Sequence, residues 1–372
     1  MIIGVPKEIK EFEYRVGVLP SGVRVLKRHG HTILIQRGAG EGCRVTDEEF
    51  RSAGATIVSG NVEIYGEADM IMKVKELQEE ECELIRPNQL LYAYLHLAPA
   101  PRLTEVLLQR EVIAIAYETI QLDDGSLPLL IPMSEVAGRM AVQVGAHFLE
   151  KTQGGRGVLL GGVPGVSRGR VTIIGAGTVG RAAAKIAVGI EAEVHILDVD
   201  QARLAYMDDL FGNRVTTLMS NHDNISASVI NSHLVIGSVL IPGARAPKLV
   251  DRDMIKNMAA GTVVVDVAID QGGCFETSRP TTHLHPTFVV DDVIHYCVAN
   301  MPGAVARTST YALTNVTLPY ALKLADQGFE RAVLQDRTLA RGINLYKGRV
   351  THEKVAQALG YSYTSLDSVV NV

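Results

Sequence analysis

Apolar and polar positions alternate along this chain with two different periods, and the changes of period outline its elements. Ile2 to Val5 is a short apolar run stopped by Pro6, which reads as a strand. Lys7 to Val16 is a charged loop that holds Arg15. Ser21 is placed to cap a helix running through His29, and His31 to Gln36 reads as the next strand. Thr46-Asp-Glu-Glu opens a helix whose acidic first turn suits the positive end of its dipole. Ala55–Val58, Met70–Val74, Leu90–Leu95 and Val112–Tyr117 then read as strands, with helical or polar stretches between them. That rhythm predicts a parallel sheet covered by helices.

Pro132-Met-Ser134-Glu begins a long helix, with Ser134 as its cap and Val136, Met140, Val144 and Phe148 at helical spacing as far as about Lys151. Gln153 to Gly157 and Gly161 to Gly165 are glycine-rich, and no phosphate-loop lysine follows, so they read as a flexible connector. Further strands are predicted at Val215–Leu218, Leu234–Ile236, Thr262–Val267 and Phe288–Val290, with Tyr296–Ala299 as another candidate. A second long helix starts near Ala304 and runs towards Gln327, with a kink predicted at Pro319.

Between the two long helices lies Val171 to Asp198, the most informative stretch. A β-branched run, Val171 to Ile174, leads into Gly175-Ala-Gly177-Thr178-Val179-Gly180, a small-residue helix, and a second strand from Glu193 that ends at Asp198. In a dinucleotide-binding unit the first glycine makes the tight turn and the second lets backbone approach a pyrophosphate at the helix N-terminus. The third lets helix and strand pack closely, and an acidic residue about 20 positions on accepts the ribose hydroxyls. Strand, loop, helix, strand and acid occur here in that order, which points to a nicotinamide-dinucleotide site. The long helices bracket this unit, so the C-terminal residues are expected to return to the first domain. The predicted fold class is α/β: two Rossmann-like doubly wound domains with a cleft between them, linked by long helices. Their expected extents are 1–128 with 307–372 for substrate, and 129–306 for the dinucleotide.

Composition narrows the classes. The 372 residues are 47% hydrophobic and 21% charged, ordinary for a globular chain of about two domains. A net charge of −5 with no basic run argues against nucleic acid or an anionic membrane surface. Cys43, Cys82, Cys274 and Cys297 form no CxxC pair, which suits a reducing compartment and offers no metal framework. Lys7 and Glu8 fall where a signal peptide needs its apolar core, and no apolar run approaches a membrane span, so a cytoplasmic location is expected.

Ligands of open α/β sheets gather beyond the carboxyl ends of the strands, and four ionisable residues lie there. Arg15 reads equally as a bidentate carboxylate clamp or as a solvated arginine. Lys75 closes Met70-Ile-Met-Lys-Val-Lys, where alternation puts Ile71, Lys73 and Lys75 on one face; a strand-end lysine also commonly just meets water. His96 ends Tyr92-Ala-Tyr-Leu-His and reads as a proton carrier, the role an imidazole suits, or as a structural histidine. Asp270, past Val263–Ile269, either faces the nicotinamide or organises the turn before Gly272-Gly273, while Asp266 inside the strand reads as structural. His283-Leu-His285 lacks partners for a metal site.

These stretches together resemble the alanine dehydrogenase family, whose relatives include the nucleotide-binding part of proton-translocating transhydrogenase. The resemblance rests on PKEIKEFEYRVGVLP at 6–20, YLHLAP at 94–99, PLLIPMSEVAGRM at 128–140, GAGTVG at 175–180, VDVAIDQGG at 265–273 and VANMPGAVARTST at 298–310. It implies NAD as cofactor and reversible deamination of L-alanine to pyruvate and ammonium. Arg15 and Lys75 are then the substrate-binding residues, and His96 and Asp270 the acid–base pair. Implied cofactor contacts fall on Ser134, the glycine loop, Thr178, Val179, Asp198, Arg203, Ser220, Val239, Leu240, Val267, Asp270, Val298, Asn300 and Met301. The family also implies a homohexamer. Tyr14, Ser167-Arg168 and Glu191 depart from the family pattern, where an amide residue, a proline and a glycine are usual. A soluble transhydrogenase component and a non-catalytic NAD-sensing module are the competing readings; intact acid–base residues count against the second.

Overall fold

Apolar runs without alternation, such as Val263–Asp266 with every residue buried, need cover on both faces of a sheet. Two such sheets form the protein. The computed structural model describes residues 1–239 and 246–370. The chain divides into one unit made of Met1–Met133 with Gly303–Val372, and another made of Ser134–Pro302.

In the first unit β1 (Ile2–Val5), β2 (Thr32–Gln36), β3 (Thr56–Val58), β4 (Met70–Met72), β5 (Leu90–Ala93) and β6 (Ile113–Ala116) run parallel, side by side in the order β6-β5-β4-β1-β2-β3. The antiparallel strands Ile343–Tyr346 and Arg349–Val350 extend the sheet beyond β6, so the C-terminal residues do return here. Ile71, Leu91 and Ala114 pack from the strands against Leu107, Val355 and Ala356 in one core.

In the second unit β7 (Arg170–Ile174), β8 (Glu193–Asp198), β9 (Val215–Met219), β10 (Leu234–Gly237), β11 (Val263–Asp266), β12 (Thr287–Val290) and β13 (Val293–Tyr296) lie in the order β12-β13-β11-β10-β7-β8-β9. Only β12 is antiparallel among these described strands. The chain leaves β7 towards β8 and β9, then crosses to β10 on the other side of β7. That reversal is the topological switch point where open α/β sheets bind ligands.

Several boundaries differ from the pattern for local reasons. The first helix, Pro20–Arg28, starts on Leu19 with Pro20 in its first turn, so Ser21 lies inside it and caps nothing. Helix α1 (Ile131–Phe148) likewise begins before Pro132, which leaves Ser134 in the first turn and not at the cap. The helix opens at Thr46 as predicted, through a capping box: Glu49 N–H donates to Thr46 Oγ1 at 3.2 Å, and Thr46 N–H to the Glu49 carboxylate at 2.7 Å. The last strand of the second unit is Val293–Tyr296, and Val298 makes only an isolated bridge to Thr281. The glycine-rich approach is not a loose connector, since Arg156 N–H bonds Gly261 O at 2.9 Å and Gly157 N–H bonds Leu149 O at 2.7 Å. Arg168 Nη2 lies 3.0 Å from Glu191 Oε2. Glu191 has φ +65°, a left-handed conformation that favours glycine. Among the described residues no helix is long and apolar enough to cross a membrane.

Candidate functional site

Neighbouring parallel strands in register end together, so residues just past their carboxyl ends are brought to one edge. In the first unit Gly4 pairs with Ile71, Met72 with Tyr92 and Ala93 with Ala116, which aligns the ends of β1, β4, β5 and β6. Arg15 and Lys75 come from the loops after β1 and β4, and His96 from the loop after β5. The segment after β6 adds Glu118, which lies in the stretch AYETI at 116–120 but is given no role by the sequence pattern.

Arg15 is not a solvated arginine; it is 2% exposed. Its Nε and Nη2 donate to Glu13 Oε1 and Oε2 at 2.7 and 2.6 Å, and Nη1 lies 3.0 Å from Met133 Sδ. Burial opposes the charge, but the hydrogen bonds and carboxylate of Glu13 outweigh it and hold the guanidinium above its ordinary value. Glu13 therefore fixes the plane of the fork. Lys75 is half-buried, and burial followed by the nearby charge of Arg15 holds its ammonium below the usual lysine value. Arg15 and Lys75 thus bring two cationic side chains to this edge, the first with a buried carboxylate beside it. His96 is 48% exposed along its side chain and adopts φ +48°, a strained conformation for a non-glycine residue. Glu118 holds it there: the N–H groups of Leu95 and His96 donate to the Glu118 carboxylate at 3.2 and 2.6 Å. The imidazole Nδ1 lies 3.9 Å from Glu118 Oε1, and Tyr94 stacks on the ring at 6.1 Å between centroids.

In the second unit the register pairs Ile174 with Gly237 and Leu197, and Gly237 with Asp266, so the ends of β8, β7, β10 and β11 align. Gly175 turns with φ +106°. A Cβ on Gly180 would lie 1.8 Å from Gly175 O, so only glycine permits this approach of helix and strand. A Cβ on Gly177 would meet nothing within 4 Å, so the loop is open at the N-terminus of α2 (Thr178–Gly189), as a phosphate cradle needs. Asp198 closes β8 and is buried; its carboxylate accepts Ala176 N–H at 2.6 Å and Asp200 N–H at 2.9 Å, tying the glycine loop to the strand end. Arg203 Nη1 is 3.8 Å away.

Ser220, Ser238-Val239 and Val267 continue the same edge, each just past a strand, and Ser220 N–H bonds Asp198 O at 2.9 Å. Leu240 lies outside the described residues. Val298, Asn300 and Met301 follow β13, with Asn300 at φ +62°. Asp266 takes the turn-organising work: its carboxylate accepts N–H groups of Ala268, Cys274 and Phe275 and the Ser278 hydroxyl. Asp270 is exposed on the turn Ile269–Gln271.

The family description "Alanine dehydrogenase/PNT, N-terminal domain" matches residues 4–137, and "Alanine dehydrogenase/PNT, C-terminal domain" matches 141–353. The chain belongs to the alanine dehydrogenase/PNT family. It is 56% identical over 372 residues to a protein of Methanococcus maripaludis named alanine dehydrogenase, with all of both chains covered. Among solved structures, one titled L-alanine dehydrogenase matches with TM-score 0.95 and 51% identity, over 97% of this chain and 99% of that one. A transhydrogenase from Sinorhizobium meliloti matches with TM-score 0.81 at 23% identity, over 95% of this chain and 99% of that one, a likeness of fold. Both solved structures are thus similar in fold to this chain over nearly its whole length.

Proposed function

We propose that this chain is an amino-acid dehydrogenase converting L-alanine, water and NAD+ to pyruvate, ammonium, NADH and a proton, and the reverse. The observation that carries the reading is the convergence of Arg15, Lys75 and His96 on one edge of the first sheet, in a chain whose full-length relatives bear the name alanine dehydrogenase. Arg15 would hold the substrate carboxylate in the plane that Glu13 sets. The Lys75 ammonium would face the carbonyl oxygen, where negative charge builds as ammonia adds to the carbonyl carbon on the way to the imine. His96, aligned by Glu118, and Asp270 would carry the protons that enter and leave as water adds to the imine carbon and ammonia departs. Each such transfer is worth about 10²–10⁴-fold in rate.

NAD, when bound, supplies the hydride acceptor. The open Gly177 and the carboxylate of Asp198 suit it, since each carboxylate oxygen keeps acceptor capacity beyond the backbone bond it already makes. Ser134, Gly175, Thr178, Val179, Gly180, Arg203, Ser220, Val239, Val267, Val298, Asn300 and Met301 are proposed as its further contacts. A cytoplasmic homohexamer is the proposed working form, tested by light scattering.

The deciding experiment follows NADH fluorescence when purified protein receives NAD+ with L-alanine, L-serine, lactate or a second nucleotide in turn. The chain has no tryptophan, so no indole emission feeds the signal. NADH should appear with L-alanine; activity confined to lactate or to the second nucleotide would overturn the assignment.

A further inference from the structure

The run after β1 reads from sequence as a charged loop, yet Glu8 within it is 8% exposed. Its carboxylate serves the segment that carries Lys75. β4 ends at Met72, and the last N–H given to the neighbouring strand there is that of Lys73, to Tyr92 O at 3.1 Å. The next two, from Val74 and Lys75, turn to Glu8 Oε1 at 2.6 and 3.4 Å. Glu8 thus takes over from the sheet as acceptor at the two residues where the chain departs to present the Lys75 side chain.

A carboxylate buried this deeply needs a counter-charge. Lys73 supplies it, with Nζ 3.5 Å from Glu8 Oε2. The same ammonium also binds Glu81, whose carboxylate accepts the Tyr65 hydroxyl at 3.1 Å and Gln78 N–H at 2.9 Å. Lys73 and Glu81 have no exposed side-chain surface. The geometry points to Glu8 and Lys73 as a buried ionic clip that positions Lys75 for the substrate, a role that rests on the reading of Lys75 as the substrate-binding lysine. A misplacement of about 1 Å can cost on the order of 100-fold in rate.

Pyruvate reduction is measured for Glu8→Ala, Glu8→Gln, Lys73→Met, Lys75→Ala and the double variant of Glu8→Ala with Lys75→Ala, with NADH binding followed in each. In Glu8→Ala kcat/KM for pyruvate should fall about 10- to 100-fold while NADH binding is kept. Glu8→Gln retains the acceptor oxygen and should lose less. Added to Lys75→Ala, the Glu8 change should cost nothing more, because it acts through a side chain already gone. A further loss of the same size in the double variant would make Glu8 a general structural residue and overturn the clip, as would full pyruvate activity in Glu8→Ala. Near-normal turnover in Lys75→Ala would instead overturn the reading of Lys75 itself, and the clip with it. If Glu8→Ala fails to fold, Glu8→Gln and Lys73→Met carry the same comparison.

Discussion

Replacing Arg15 by lysine separates the side chain's charge from its shape. The guanidinium makes two parallel bonds to Glu13, at 2.7 and 2.6 Å, in a pair that is 2% and 0% exposed. An ammonium offers one nitrogen in place of the planar fork, so at least one of those bonds is lost. A hydrogen bond to a charged group is worth about 1.5–3 kcal/mol, and solvent cannot replace it at this depth. The unit should therefore melt roughly 3–12 °C lower, at about 2–4 °C per kcal/mol. Losing one bond to the substrate carboxylate should raise KM for pyruvate about 10- to 150-fold, with kcat much less affected. Initial rates of NADH consumption against pyruvate at saturating ammonium, alongside a thermal melt, measure both effects. A lowered melting point with an unchanged KM would make Arg15 a structural partner of Glu13 and refute the clamp.

Burial and the charge of Arg15 hold the Lys75 ammonium below the ordinary 10.5, so pyruvate affinity should weaken with rising pH earlier than an unperturbed lysine would allow. Stability should move the opposite way: between the lowered value and 10.5 the unfolded chain binds more protons than the folded one, so the Lys75 contribution to stability rises with pH there. Lys75→Met should remove both slopes, read from KM and from melts across that range. His96→Ala and Asp270→Ala should each lose most turnover yet bind NADH, and the double variant should be little worse than the poorer single; near-wild-type rates in either single variant would sink its proton-carrying role. The wild type should prefer NAD over NADP, because a 2′-phosphate would face the Asp198 carboxylate. Asp198→Asn should narrow that preference and weaken both coenzymes, since an amide NH2 would then oppose the N–H of Ala176 or Asp200. Comparable kcat/KM values for the two coenzymes in the wild type would count against the assignment.

The β7–α2–β8 unit was readable because its signals are local: turn glycines, a small-residue helix and a closing acid lie within one stretch. Thr46 was readable for the same reason, its partner Glu49 being three residues away. Ser21 and Ser134 misled because a nearby proline, at Pro20 and Pro132, sets where a first turn starts more firmly than a hydroxyl does. The four ionisable candidates could be picked out from their places after apolar runs. Their supports could not. Glu13, Glu118 and Glu8 look like surface charge in sequence, and what buries or engages them is a partner known only once the strands are ordered: Arg15 for Glu13, the backbone of Leu95 and His96 for Glu118, and that of Val74 and Lys75 for Glu8.

The first unit is interrupted in sequence by the whole of the second, and this orders events during synthesis. β6 is formed by Ile113–Ala116, entirely buried in the finished protein, but its partner on the side away from β5 begins only at Ile343. A chain emerging from the ribosome therefore carries an unpaired apolar edge while all of Ser134–Pro302 is being made. Contacts so distant in sequence form slowly, and open edges of this kind recruit other strands. The coenzyme-binding unit, contiguous and complete earlier, can fold first, whereas the half that begins the chain is finished last. Premature termination before residue 303 would release a product whose sheet is left open, a substrate for chaperones and proteases in place of a half-enzyme.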